Sequence, residues 1–163
     1  WKDVQKDLNN PLILNRGFGG STLVDLWRYK EDVIFAYKPK QIVIYCGEND
    51  IASSEKVSSA EVLKRFKKLY KSIRSTFPEI QIAFISLKPS PSRWKMKDRM
   101  IETNHLIRQF AEVENNFVFV DIWDKMLNEN GYPKSDIFTA DSLHMNKYGY
   151  EIWVKAINNV LIK

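Results

Sequence analysis

A chain of 163 residues with 44% hydrophobic content is long enough for one domain with a substantial core and too short for two comfortable ones. Its formal charge of +5, from 25 Lys and Arg against 20 Asp and Glu, is spread along helical segments instead of gathered in a block, which weighs against a nucleic-acid partner. The single cysteine, Cys46, excludes an intrachain disulfide and a cysteine-rich metal site, and no apolar run approaches the roughly 18 residues needed to span a bilayer.

Trp1, Val4 and Leu8 share helical spacing, and Asn9-Asn10-Pro11 is a stop signal. Nothing before Trp1 could cap this helix and there is no initiator Met, so the sequence reads as beginning inside a helix, as a processed or truncated product would. Pro11-Leu12-Ile13-Leu14-Asn15 is a short buried-strand candidate that runs into the turn Gly17-Phe18-Gly19-Gly20. Ser21 or Thr22 can cap the next helix, whose Leu23, Leu26 and Trp27 face inward.

Gln41-Ile42-Val43-Ile44-Tyr45-Cys46 is the clearest strand, nearly continuous in apolar residues as a strand covered on both faces should be. Ser58 with Glu61 predicts a capping box for a helix carrying Val62, Leu63, Phe66, Leu69, Tyr70 and Ile73 on one stripe. Lys64, Lys67, Lys68, Lys71 and Arg74 fall largely on its opposite side, which reads as a solvated face in preference to an anionic-surface contact. A third strand over residues 80–86 leads into the loop Lys88-Pro89-Ser90-Pro91-Ser92-Arg93-Trp94, and a helix follows over about residues 97–113. Phe117-Val118-Phe119-Val120-Asp121 is the fourth strand, and Asn146 can cap a last helix bearing Tyr150, Trp153, Val154, Ile157 and Leu161. Strands alternating with helices predict an α/β fold, a parallel sheet with helices on both faces.

Three segments carry the chemistry: Gly17-Phe18-Gly19-Gly20-Ser21, Gly47-Glu48-Asn49-Asp50 and Asp141-Ser142-Leu143-His144. Each follows a strand or its trailing loop, so a parallel sheet would gather them at its carboxyl edge. Asp141 can hold the His144 imidazole in one tautomer and leave its other nitrogen free as a base; a structural histidine near a helix start is the alternative. Asn49 can present an amide donor or simply close an Asx turn. The glycines serve either the approach of backbone N–H groups to an anion or a tight turn; neither dinucleotide spacing nor a Walker lysine is present.

Taken together, Asn49 in its Gly-Glu-Asn-Asp setting, the Gly-rich turn about 30 residues earlier and the terminal Asp141-x-x-His144 resemble the SGNH, or GDSL-type, hydrolase superfamily. The resemblance runs from Asn15 to the last helix, and Arg16 to Ser21, Lys88 to Trp94 and His144-Met145-Asn146 are similar to a GDSL-lipase-like branch. It implies a three-layer α/β/α sandwich with a flavodoxin-like sheet, of which four strands are visible here and the family's first is missing. It implies that the Gly20 backbone and the Asn49 side chain donate to an oxyanion, that His144 is the general base and that Asp141 orients it. The reaction it implies is hydrolysis of a small acyl or acetyl ester, with a carbohydrate or lipid as a candidate carrier, without metal or cofactor.

The family's serine stands in a turn after its first strand, upstream of the helix in which this sequence begins. Ser21 is better explained as a cap, Ser142 lies between the Asp and His it would face, and Cys46 reads as a buried structural thiol, so none is nominated. The expectation is that the natural protein is longer and carries the serine upstream, and that these 163 residues alone are nearly inactive. Arg93 and Trp94 are candidates to line the acyl or sugar site, with Trp94 equally suited to covering the neighbouring helix. A noncatalytic binding module on the same fold is the alternative. A periplasmic or secreted setting is favoured over a cytoplasmic one.

Overall fold

The computed structural model describes residues 1–162. Three parallel strands, β1 (Gln41–Ile44), β2 (Gln81–Ile85) and β3 (Phe117–Val120), lie in the order β1-β2-β3. The register sets Ile44 beside Phe84 and Ile85 beside Val120. Alternation along β2 feeds two separate cores, with Ile82 and Phe84 in one and Ala83 and Ile85 in the other. Both faces of β2 are therefore covered, which is why this strand lacks the polar alternation of a half-exposed sheet.

One layer contains α2 (Leu23–Arg28), α4 (Ser59–Thr76) and α5 (Lys97–Glu112). Phe66 of α4 is fully buried there among the rings of Tyr70, Phe84, Phe110 and Phe117. The opposite layer is built by α6 (Lys147–Ile157) with α1 (Val4–Asp7), where Trp1 stacks on Tyr150 and meets Trp153 edge-on. A short α3 (Glu48–Ser53) follows β1 directly.

Side-chain caps start three of the six α-helices among the described residues. Thr22 and Asp25 form a reciprocal capping box on α2, and Asn146 accepts from Tyr148 and Gly149 at α6. On α4 only half of the expected box forms: Ser58 Oγ accepts from the Glu61 N–H, but the Glu61 carboxylate turns to Arg65 at 3.0 Å. The helix expected from Trp1 is a single turn beginning at Val4, and Asn9 (φ +46°) ends it in a Schellman arrangement, with Asn9 N–H on Lys6 O and Asn10 N–H on Gln5 O.

One expected strand is absent. Residues 11–15 are irregular, with Leu12 87% and Leu14 60% exposed, so the sheet contains three strands where four were expected. Strand propensity without a neighbour to pair with leaves backbone groups unsatisfied, and none of the described strands lies beside this segment. Local contacts hold it instead: Leu12 N–H donates to Asn10 Oδ1, Gln5 Nε2 to Ile13 O and Asn15 Nδ2 to Trp1 O.

Candidate active site

β1 runs out at Gly47, whose φ of +120° is a conformation that side-chain-bearing residues rarely adopt. A Cβ there would also stand 3.2 Å from Val62 Cγ1, so the turn packs tightly on α4. The sharp turn starts α3 at once and sends Glu48 and Asp50 into the protein, with Asn49 half-buried between them. Asp50 accepts the Leu23 N–H at 2.9 Å and Arg65 Nη1 at 2.8 Å, which fixes the start of α2 against α4.

That anchoring brings the Gly-rich turn to Asn49. Asn49 Nδ2 donates to Ser21 O at 3.0 Å, and Asn49 Oδ1 accepts from Arg93 Nη2 at 2.9 Å. An amide nitrogen has two hydrogens, so one remains for a ligand. Gly20, one residue before the accepting carbonyl, is exposed at φ +73° with open space around its Cα.

The Asp141-x-x-His144 loop bends back through Ser142 (φ +58°), and His144 Nδ1 lies 2.5 Å from Asp141 Oδ2. Asp141 Oδ1 accepts the N–H groups of Leu143 and His144, each at 2.9 Å, and the Thr139 hydroxyl at 2.8 Å. The His144 contact first, and then these donors, hold the Asp141 carboxyl well below the usual carboxylate range. His144 Nε2 makes no hydrogen bond to the described residues, on a side chain that is 75% exposed. The loop is joined to the rest of the site by Ser92 N–H, which donates to Ser142 O at 3.1 Å next to Arg93.

Beneath these groups lies a buried ionic cluster that the motif reading overlooked. Glu48 pairs with Lys88 at 2.7 Å and with Arg93 at 2.9 Å, and accepts from the Tyr45 hydroxyl. Burial pushes the Lys88 ammonium below the ordinary lysine range against the pull of Glu48, whereas burial and Glu48 together push Tyr45 well up. A signal existed: extending the Ile44–Phe84 register by four residues on each strand sets Glu48 opposite Lys88.

The other candidates take distinct places. Arg93 is engaged by Glu48 and Asn49, while Trp94 stacks on Trp123 at 6.3 Å and contacts Tyr132 at 5.7 Å. Cys46 is buried with its Sγ 3.7 Å from Ser21 O, and burial pushes its thiol far up, the opposite of an activated nucleophile. Among the described residues no set of three or more His, Cys, Asp or Glu is placed to hold a metal, and no helix is long and apolar enough to cross a membrane. Cavities of about 300 Å³ beside α5 and β3 and about 750 Å³ between α2 and α4 contain none of the motif residues.

Comparison with known proteins settles the lineage, because the model of the GDSL-like lipase/acylhydrolase family matches residues 1–152. The chain belongs to that family. Its members are carboxylic ester hydrolases, and the α/β architecture agrees. The rat platelet-activating factor acetylhydrolase IB subunits alpha1 and alpha2 are 24% and 27% identical to it, each over 99% of this chain and 68% and 69% of their own lengths. In fold it resembles a solved Bacteroides fragilis structure with a TM-score of 0.81 at 19% identity, covering 97% of this chain and 76% of that one. A family 3 carbohydrate esterase from Talaromyces cellulolyticus superposes with a TM-score of 0.72 at 16% identity, over 88% of this chain and 67% of the other.

Proposed function

We propose that this GDSL-type hydrolase cleaves small acyl or acetyl esters through a Ser-His-Asp triad, with His144 as general base, Asp141 as its orienting partner, and the Gly20 N–H and Asn49 amide as oxyanion donors. The supporting observation is a linked set of contacts: Asn49 donates to Ser21 O, Arg93 donates to Asn49 Oδ1, and Ser92, next to Arg93 in the chain, donates to the loop that pairs Asp141 with His144. The base and the donors thus arise from three loops held to one another. Donors preorganised where negative charge develops are worth about 10² to 10³ in rate each. The acetylhydrolase relatives and the esterase fold neighbour favour a small acyl group.

The serine, in this proposal, comes from a segment outside these 163 residues that lies along β1. Among the described strands β1 pairs with β2 alone, Val43 is 39% exposed, and Leu12 and Leu14 stand uncovered. The test is p-nitrophenyl acetate hydrolysis by the natural full-length protein beside His144→Ala and Asn49→Ala. Turnover in the parent, reduced at least 10³-fold without the imidazole and about 10² to 10³-fold without the carboxamide, is the expected result. An inert parent would leave a ligand-binding module in its place.

A further inference from the structure

We infer that Arg93 is a positioning residue of the oxyanion hole, holding the Asn49 amide in its donating orientation. The inference rests on the esterase reading above and assigns Arg93 a role other than touching substrate. A carboxamide can rotate by half a turn about its last bond and exchange its oxygen for its nitrogen, and at the end of a donor hole the wrong rotamer would point a lone pair at developing negative charge. Two contacts prevent that exchange here. Ser21 O can only accept, so it selects Nδ2, and the guanidinium can only donate, so it selects Oδ1.

Arg93 is itself immobilised. Its other terminal nitrogen, Nη1, is 2.9 Å from Glu48 Oε1, and Glu48 is buried and held by Lys88 and Tyr45. The planar fork of the guanidinium spans the two successive residues Glu48 and Asn49 of α3, which a single-point ammonium cannot do. With its side chain only 17% exposed and both termini occupied, Arg93 has little freedom to reach a bound ester. The cluster beneath the site is thereby connected to the chemistry: Glu48 and Lys88 hold Arg93, Arg93 holds Asn49, and Asn49 faces the reacting atoms.

Arg93→Lys keeps a cation for Glu48 but gives up the second arm, which separates positioning from charge. In the full-length enzyme it should lower kcat for p-nitrophenyl acetate ten- to a hundredfold with KM within threefold of the parent. Combined with Asn49→Ala, it should add less than threefold to the loss from Asn49→Ala alone, because the residue it acts through is already gone. Independent of activity, the Asn49 side-chain NH₂ signals in a ¹⁵N–¹H spectrum should be dispersed and slow to exchange in the parent and should move toward free-asparagine values in Arg93→Lys. A rise in KM at unchanged kcat, fully multiplicative losses in the double variant, or unaltered Asn49 amide signals would each overturn the assignment. A parent without turnover would refute the esterase reading alone, since the amide signals still decide whether the clamp exists.

Discussion

Replacing Glu48 by Gln tests the buried cluster on which the site stands. The carboxylate neutralises two cations, Lys88 at 2.7 Å and Arg93 at 2.9 Å, and both its own side chain and that of Lys88 are under one-tenth exposed. Removing one partner of a buried pair typically costs about 3 to 5 kcal/mol. A second route gives the same ceiling. Lys88 can escape an unpaired buried charge by losing its proton, and doing so at pH 7 from the ordinary lysine value of 10.5 costs about 5 kcal/mol. For a chain of this length that is a fall in Tm of about 10 to 15 °C, a large share of the roughly 5 to 15 kcal/mol that holds a domain folded.

Urea titration followed by tryptophan fluorescence reads the effect, and pH adds a signature. Where Lys88 sheds its proton on folding in the variant, the unfolded state binds more protons and stability rises from pH 7 toward pH 10. Glu48→Gln with Lys88→Met should recover most of the loss, because Lys88 is the more deeply buried of the two cations and Arg93 retains partial contact with solvent. A single variant within about 1 kcal/mol of the parent, with the same denaturant slope and no gain at high pH, would refute the account.

Gly47→Ala should cost about 1 to 3 kcal/mol, since its φ of +120° is strained for any side chain and the new Cβ meets Val62 Cγ1 at 3.2 Å; thermal unfolding measures it. Asp141→Asn should flatten the acid limb of stability. The carboxyl titrates below its unfolded value, so its contribution is complete above the ordinary carboxylate range and is lost as pH falls through the folded value. Denaturation curves between pH 5 and 2 should therefore fall more steeply for the parent than for Asp141→Asn. The same variant, assayed in the full-length enzyme with p-nitrophenyl acetate, should lose kcat by several orders of magnitude through the misdirected imidazole.

What could be read in the residues was whatever depends on a repeating pattern or a fixed chemical partner. The stripe of Val62, Phe66, Leu69, Tyr70 and Ile73 and the apolar runs of β1, β2 and β3 declare themselves because burial on one helix face or on both sheet faces leaves a period in the chain. The stretch at residues 11–15 shows the boundary of that logic. Its composition is strand-like, yet a strand is a relation between two segments, and no described strand stands beside it. The irregular π turn at Glu31–Phe35 leaves no periodic trace either.

Asn49, Asp141, His144 and Arg93 were singled out because their chemistry is unusual for their position; the Glu48–Lys88 pair was not, because each looks like an ordinary surface charge until the register buries it, and Arg93 was read as lining the acyl or sugar site, not as their partner. Parallel pairing makes this a general consequence of topology. Adjacent parallel strands end at the same edge, so residues equally far past their last paired positions become neighbours, and a charge placed there must be matched by the next loop or by solvent. Here Lys88 supplies the match for Glu48, and Arg93, five residues further along the same loop, turns that electrostatic requirement into an orientation for the amide at Asn49. The stability of the cluster and the direction of the donor are on this argument one property, which is why Glu48→Gln should disturb the Asn49 amide even under conditions where the variant remains folded.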